Sequence, residues 1–266
     1  MKYLKISILA LLAASCTSSK KQAPKMPGTY LMVSQTVNFN NKATNNTDLK
    51  QLKIYTDHFY MYTQLNPADS ISGFGVGSYT SDTSGVTENT IFRASGSIAD
   101  STSPSYKVNM TTTTDGYNQI IPQIMIDSQM SKLTEVYQKV GISLKSPLDG
   151  IWKELESYTI KGNDTTRNNR TQYKAFYEGY FMFGQTVKDA PSASASASAQ
   201  TGIGFGTFDT AGVNKIKETD LNSSFPIVAG HSFIVNYELT GTDNYKQIIN
   251  YPDSSQSVEI YERLKE

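Results

Sequence analysis

This 266-residue chain has one cysteine, two histidines and one tryptophan, and its 24 Lys and Arg balance 24 Asp and Glu. A sole cysteine rules out an internal disulfide framework. Zero net charge leaves no basic surplus to attract nucleic acid, and no acidic tail is visible. No apolar run reaches the roughly 20 residues that a membrane-spanning helix requires. Neither His58 nor His231 has Cys, Asp or Glu at ligand spacing, so both read as turn or strand-start residues rather than haem or zinc ligands. Long amphipathic helical stretches are also missing; Met125 to Tyr137 comes nearest, but a turn followed by a last strand fits it better.

What the chain does have is glycine at alternate positions. Ser72-Gly73-Phe74-Gly75-Val76-Gly77-Ser78-Tyr79 returns as Thr201-Gly202-Ile203-Gly204-Phe205-Gly206-Thr207-Phe208. Side chains alternate along a strand, so Gly73, Gly75 and Gly77 share one face, as do Gly202, Gly204 and Gly206. A strip without side chains lets a sheet coil sharply, or lets a ring or a ligand lie against backbone. The spacing lies inside a strand, not between a strand and a helix, so it is no phosphate loop.

Other blocks recur in the same order. Lys53 to Tyr62 returns at Lys174 to Phe183, and Glu88 at Glu218. Tyr106 to Asn109 returns at Phe233 to Asn236, Asp115 to Ile121 at Asp243 to Ile249, and Glu135 to Val140 at Glu259 to Leu264. The chain is therefore read as a duplication, with units at 28–141 and 150–266 and a linker at 142–149. Each unit shows about eight short strand-like runs separated by turn residues, as at Asp57-His58, Glu178-Gly179 and Asp115-Gly116. Tyr and Phe enrichment with polar connections predicts an all-β fold, and closure into antiparallel up-and-down barrels would remove exposed edges. The aromatic run Phe59 to Tyr62 has rings on both faces, so alternation leaves open which of them point inward. Pro191 to Gln200, rich in Ser and Ala, reads as a hairpin loop.

The first 15 residues are set apart from the fold. Lys2 and Lys5 precede a short apolar run, and Leu12-Ala13-Ala14-Ser15-Cys16 resembles the bacterial lipobox. That resemblance implies cleavage before Cys16 and acylation of Cys16, which would hold the protein on a membrane at ~0.8 kcal/mol per buried methylene. Thr17 would follow it, not the aspartate of an inner-membrane retention signal, so the outer membrane is expected. Residues 16–27 read as a polar, flexible tether.

Gly150-Ile151-Trp152 at a first strand and Arg263 on a last strand resemble the signature of lipocalins and their relatives. The resemblance implies that Arg263 packs across Trp152 to close one barrel end; Tyr30 and Lys139 stand in those places in the first unit. Lys53-Ile54-Tyr55-Thr56-Asp57-His58-Phe59, the glycine strand, the following glutamate and Glu259-Ile260-Tyr261-Glu262-Arg263 are similar to the bacterial lipocalin-like domain of secreted proteins and lipoproteins. The implied fold is two tandem eight-stranded barrels. Barrels of this size can hold one small ligand and the glycine strips can reserve space for it, so the expected function is a small apolar or amphipathic ligand held in a lumen, with no catalytic residues and no cofactor. The glycine strips with Glu88 and Glu218 are the pocket candidates. A scaffold subunit of an envelope assembly with filled barrels is the alternative. An enzyme using Glu88 or Glu218 as acid or base lacks a second convergent group. Glu135 and Glu259 read as structural, near the closing cations. Asp69-Ser70-Ile71, Asp100-Ser101-Thr102, Asp164-Thr165-Thr166 and Asp209-Thr210-Ala211 resemble a bacterial O-glycosylation motif.

Overall fold

A computed structural model describes residues 23–266 except 69, 96–97, 101–104, 127–128, 188–200 and 252. Cys16, the leader, most of the tether, Asp69, Ser101, Thr102 and the Pro191–Gln200 loop lie outside the described residues.

The described chain is all-β and forms two closed antiparallel barrels in tandem. Strands β1 (Gly28–Phe39), β3 (Lys50–Tyr55), β4 (Phe59–Asn66), β5 (Ile71–Asp82), β6 (Gly85–Ser95), β8 (Ser105–Thr113), β9 (Gly116–Ile126) and β10 (Gln129–Lys139) form the first. Pairing of β1 with β10 closes it. Strands β11 (Gly150–Lys161), β13 (Arg170–Tyr177), β14 (Tyr180–Val187), β15 (Thr201–Gly212), β16 (Lys215–Ser223), β17 (Ser232–Thr240), β18 (Asn244–Asn250) and β19 (Gln256–Arg263) form the second, closed by β11 on β19. Three short strands are additions that the turn pattern did not predict: β2 (Lys42–Asn46), β7 (Ile98–Asp100) and β12 (Asp164–Arg167). Both β2 and β12 fold back on the far half of a first strand.

Local chemistry sets the turns. Glu178 and Gly179 both have positive φ, 48° and 78°, which is the backbone of a two-residue hairpin whose twist matches its strands. Each glycine strand carries a register shift against its neighbour, between Val76 and Gly77 in one barrel and between Phe205 and Gly206 in the other. Such bulges sharpen local twist and help a sheet to close.

Alternation then divides three cores. Tyr55, Tyr60, Val86, Val108, Tyr117 and Tyr137 fill the first lumen. Trp152, Phe176, Phe181, Ile216, Tyr245 and Tyr261 fill the second. The third core lies between the barrels, where Leu52, Ile54, Met61, Phe74 and Val76 meet Tyr173, Ala175, Met182, Ile203 and Phe205. These are equivalent positions of the two units, so the same outer face of each barrel packs against the other. Gly184 lets the Phe74 ring sit against its backbone; a methyl group there would collide with that ring. Thr29 seals the edge, donating from its N–H to Glu178 Oε2 at 3.2 Å and from its hydroxyl to the Tyr177 carbonyl at 3.0 Å.

The tether expectation needs one correction. Ser81 Oγ donates to the Pro24 carbonyl at 2.8 Å, and Met26 is buried at 2% exposure, so the last residues before β1 belong to the first barrel. Leu148 is their counterpart in the linker and is fully buried beneath the second barrel. Apolar side chains just before each first strand gain burial by capping a barrel end.

Candidate functional site

The capped ends hold the signature residues. Trp152 donates from Nε1 to the Leu148 carbonyl at 2.8 Å, and the Arg263 guanidinium lies 4.0 Å from the indole ring centroid. Arg263 also donates to the carbonyls of Thr242, at 2.9 Å, and Pro147, at 2.9 Å. A planar cation can stack and fork in this way where an ammonium cannot. In the first barrel Tyr30 donates to the Met26 carbonyl at 3.1 Å, but Lys139 reaches across to Glu178 Oε1 of the second barrel at 3.5 Å. The ring is kept there, and the cation serves the junction between barrels.

Above each cap lies a buried polar network, built from the same positions twice. In the first barrel Lys53 Nζ is 2.7 Å from Glu88 Oε1 and 3.3 Å from Gln119 Oε1. Tyr55 donates to Glu88, and Gln119 donates to Glu135. Glu135 also accepts from Gln35 at 2.9 Å and from the Tyr137 hydroxyl at 2.9 Å. In the second barrel Lys174 Nζ is 2.6 Å from Glu218 Oε1 and 3.1 Å from Gln247 Oε1. Glu259 accepts from Gln247 at 2.5 Å, from Tyr261 at 2.5 Å and from Arg170 at 2.9 Å. Both lysines lie over rings, Lys53 at 5.1 Å from the Tyr55 centroid and Lys174 at 5.0 Å from that of Phe176. Burying charge is costly unless the ions are paired and hydrogen-bonded, and these are.

Glu88 and Glu218 therefore do face a lumen. Glu135 and Glu259, expected near the closing cations, face the lumen as well. Alternation explains this: Glu259, Tyr261 and Arg263 share the inward face of β19, and Arg263, at the end of the strand, reaches the cap. Burial works against the charged form of Glu259, but Arg170 and Lys174 outweigh it and hold the carboxyl below its ordinary range. Burial pushes Glu218 up, against the opposing pull of Lys174.

The glycine strips also face inward, and rings of the chain itself cover them. Tyr62 lies against Gly75, Tyr60 against Gly77, Phe183 against Gly204 and Phe225 against Gly202. Gly77 and Gly206 approach the carbonyls of Asn89 and Thr219, the backbone opposite each bulge.

At its uncapped end the second barrel opens into a cavity of about 460 Å³. Its floor is the polar network: Arg170, Lys174, Glu218, Gln247 and Glu259. Its wall is apolar, with Phe183 and Phe225 stacked at 6.2 Å and Ile249 and Tyr251 beyond. The β16–β17 connection supplies Phe225, Val228 and His231, and is tied down by Gly230 N–H donating to the Asp220 carbonyl at 2.9 Å.

Asp220 is the residue that sequence reasoning missed. It follows Glu218 by two positions on β16, so it shares the inward face. It is 2% exposed, lines the cavity, and its Oδ1 has no hydrogen-bond partner among the described residues. Thr90 holds the equivalent place in the first barrel, where its hydroxyl meets that of Tyr60 at 3.1 Å. Burial, then the nearby Glu218 carboxylate, push the Asp220 carboxyl up to about 7. The polar network itself had left a trace: Lys53 and Lys174, Gln119 and Gln247, Glu135 and Glu259 are identical between units, and all six face a lumen. Among the described residues no cluster of His, Cys, Asp and Glu is arranged to hold a metal ion. Neither a protein-family model nor a curated protein matches this chain.

Proposed function

We propose that this chain is a lipocalin-like, lipid-anchored binding protein of the outer membrane, and that its second barrel holds one small amphipathic ligand. The cavity of about 460 Å³ carries this reading. Its size falls within the ~300–1,000 Å³ of small-molecule sites, and it joins an apolar wall to a few fixed polar groups. The network below it is internally paired, so it acts as a rigid polar floor. Among the described residues Glu218 and Glu259 are tied up in ion pairs and Asp220 Oδ1 has no polar partner to act with, which supports a binder over an enzyme. The anchor part of the proposal rests on the lipobox-like residues ending at Cys16.

Protein purified from envelopes should carry a small lipid-like species in native mass spectra, and should enhance the fluorescence of the neutral dye Nile red until a ligand displaces it. Protein that carries nothing and leaves the dye unchanged would overturn the binding function. Cys16→Ser should move the protein from the membrane to the soluble fraction. A scaffold role finds its support in the first barrel, whose tyrosine rings pack its lumen; a reproducible envelope partner together with an empty second barrel would favour it.

A further inference from the structure

The two cations of the second cavity are already spoken for. Lys174 is held by Glu218 and Gln247. Arg170 gives its fork to Glu154, at 3.1 and 2.7 Å, and to Glu259 at 2.9 Å. The carboxylates outnumber them: Glu154, Glu218, Glu259 and Asp220 stand against one arginine and one lysine. Asp220 also lines the cavity, and its Oδ1, packed with the Phe183 ring against the Gly204 backbone, has no hydrogen-bond partner among the described residues. Buried polar atoms are almost always hydrogen-bonded, so an orphan beside an empty space marks where a ligand's donor belongs. In the first barrel the equivalent Thr90 has its partner within the chain.

We infer that the second barrel selects an amphipathic amine, whose ammonium group donates to Asp220 while its apolar body lies along Phe183 and Phe225. This deepens the binding function proposed above and rests on it. A carboxylate head would meet the surplus of carboxylates and two cations that are already neutralised, so fatty acids are disfavoured. Charge-assisted hydrogen bonds are about twice as strong as neutral ones, and in a desolvated pocket one such bond changes affinity by about tenfold or more.

The groups facing Asp220 are Glu218 beside it on β16, Lys174 across the floor, and Arg170, Glu259 and His231 around the cavity. Near neutral pH the free Asp220 carboxyl is partly protonated. An ammonium ion draws it to the charged form, so binding releases its proton to solvent. Affinity for an amine should therefore rise as pH increases through about 7 and level off above that range.

The test is calorimetric titration of the unacylated Cys16→Ser chain with decylamine, decanoate and decanol at pH 8. Decylamine should bind about tenfold or more tightly than either of the others. Asp220→Asn should remove that advantage, lowering decylamine affinity much more than decanol affinity. Equal affinity for the three probes, tighter binding of decanoate, or an amine preference that survives Asp220→Asn would each overturn the inference while leaving the binding function standing. Failure of all three probes to bind would remove both. The wild-type ranking needs no variant, so a misfolded Asp220→Asn chain would not shield the inference.

Discussion

Asp220 carries a conflict at the scale of a single side chain. Its carboxyl is held near 7, well above the usual carboxylate range, because it is buried and lies beside Glu218. The folded chain therefore keeps a proton that the unfolded chain has released. Stability must then fall as pH rises from about 4 to about 7, and stay at the lower level above. Asp220→Asn should accordingly raise stability at pH 8 by about 1–3 kcal/mol, the range for relieving an unsatisfied buried group, with the gain shrinking towards pH 4. Urea midpoints at the two pH values would show it; an equal gain at both would mean that Asp220 holds no such proton. A residue that weakens the fold and faces a cavity is the usual mark of a binding site, where function and stability pull apart. Asp220 was not legible in the sequence because nothing local distinguishes a strand aspartate in a lumen from one in solvent. Only comparison with Thr90, its partner in the duplication, marks it out.

The glycine strands act at the scale of an element. Their alternation was plain in the sequence, and with it the separation of Phe74, Val76, Ile203 and Phe205 onto the opposite face. What covers the bare face was not, because rings on β4 and β14 occupy both faces of their strands. The structure turns Tyr60, Tyr62, Phe181 and Phe183 inward and Met61 and Met182 outward. Substitution by alanine should grade with the atom that the new methyl meets. Gly77→Ala and Gly206→Ala press on carbonyls of the neighbouring strand, which cannot move without breaking the bulge. Each should cost about 1–3 kcal/mol, whereas Gly73→Ala, whose methyl would lie 3.1 Å from the Ala94 carbonyl oxygen, should cost less. Equal midpoints in chemical denaturation for the three variants would contradict this account of the strip.

At the scale of the whole molecule, the two barrels share a core. Strands β3 and β13 are buried on both faces: Gln51, Lys53, Gln172 and Lys174 face lumens, while Leu52, Ile54, Tyr173 and Ala175 face the other barrel. Packing of this kind should make the barrels unfold together. Trp152, the sole tryptophan, reports on the second barrel. Val86→Ala, deep in the first lumen, should lower the midpoint seen by Trp152 fluorescence in parallel with that seen by far-UV circular dichroism. A Trp152 midpoint that does not move would mean that the barrels unfold independently.

Duplication, strand order and turn positions followed from the sequence alone, because each rests on local chemistry: alternation, turn residues, and recurrence of blocks in register; the Trp152–Arg263 pair was legible only through the lipocalin resemblance. Tertiary structure decided which face of each strand is inside. In β3 and β13 Gln51, Lys53, Gln172 and Lys174 turn inward while apolar Leu52, Ile54, Tyr173 and Ala175 turn outward, since the outer face meets a second barrel and the lumen holds paired ions. It also decided that the second lumen holds a cavity lined by an acid with an unpartnered oxygen. A cavity is what remains after every side chain from eight strands has been placed, and no stretch of sequence contains that difference.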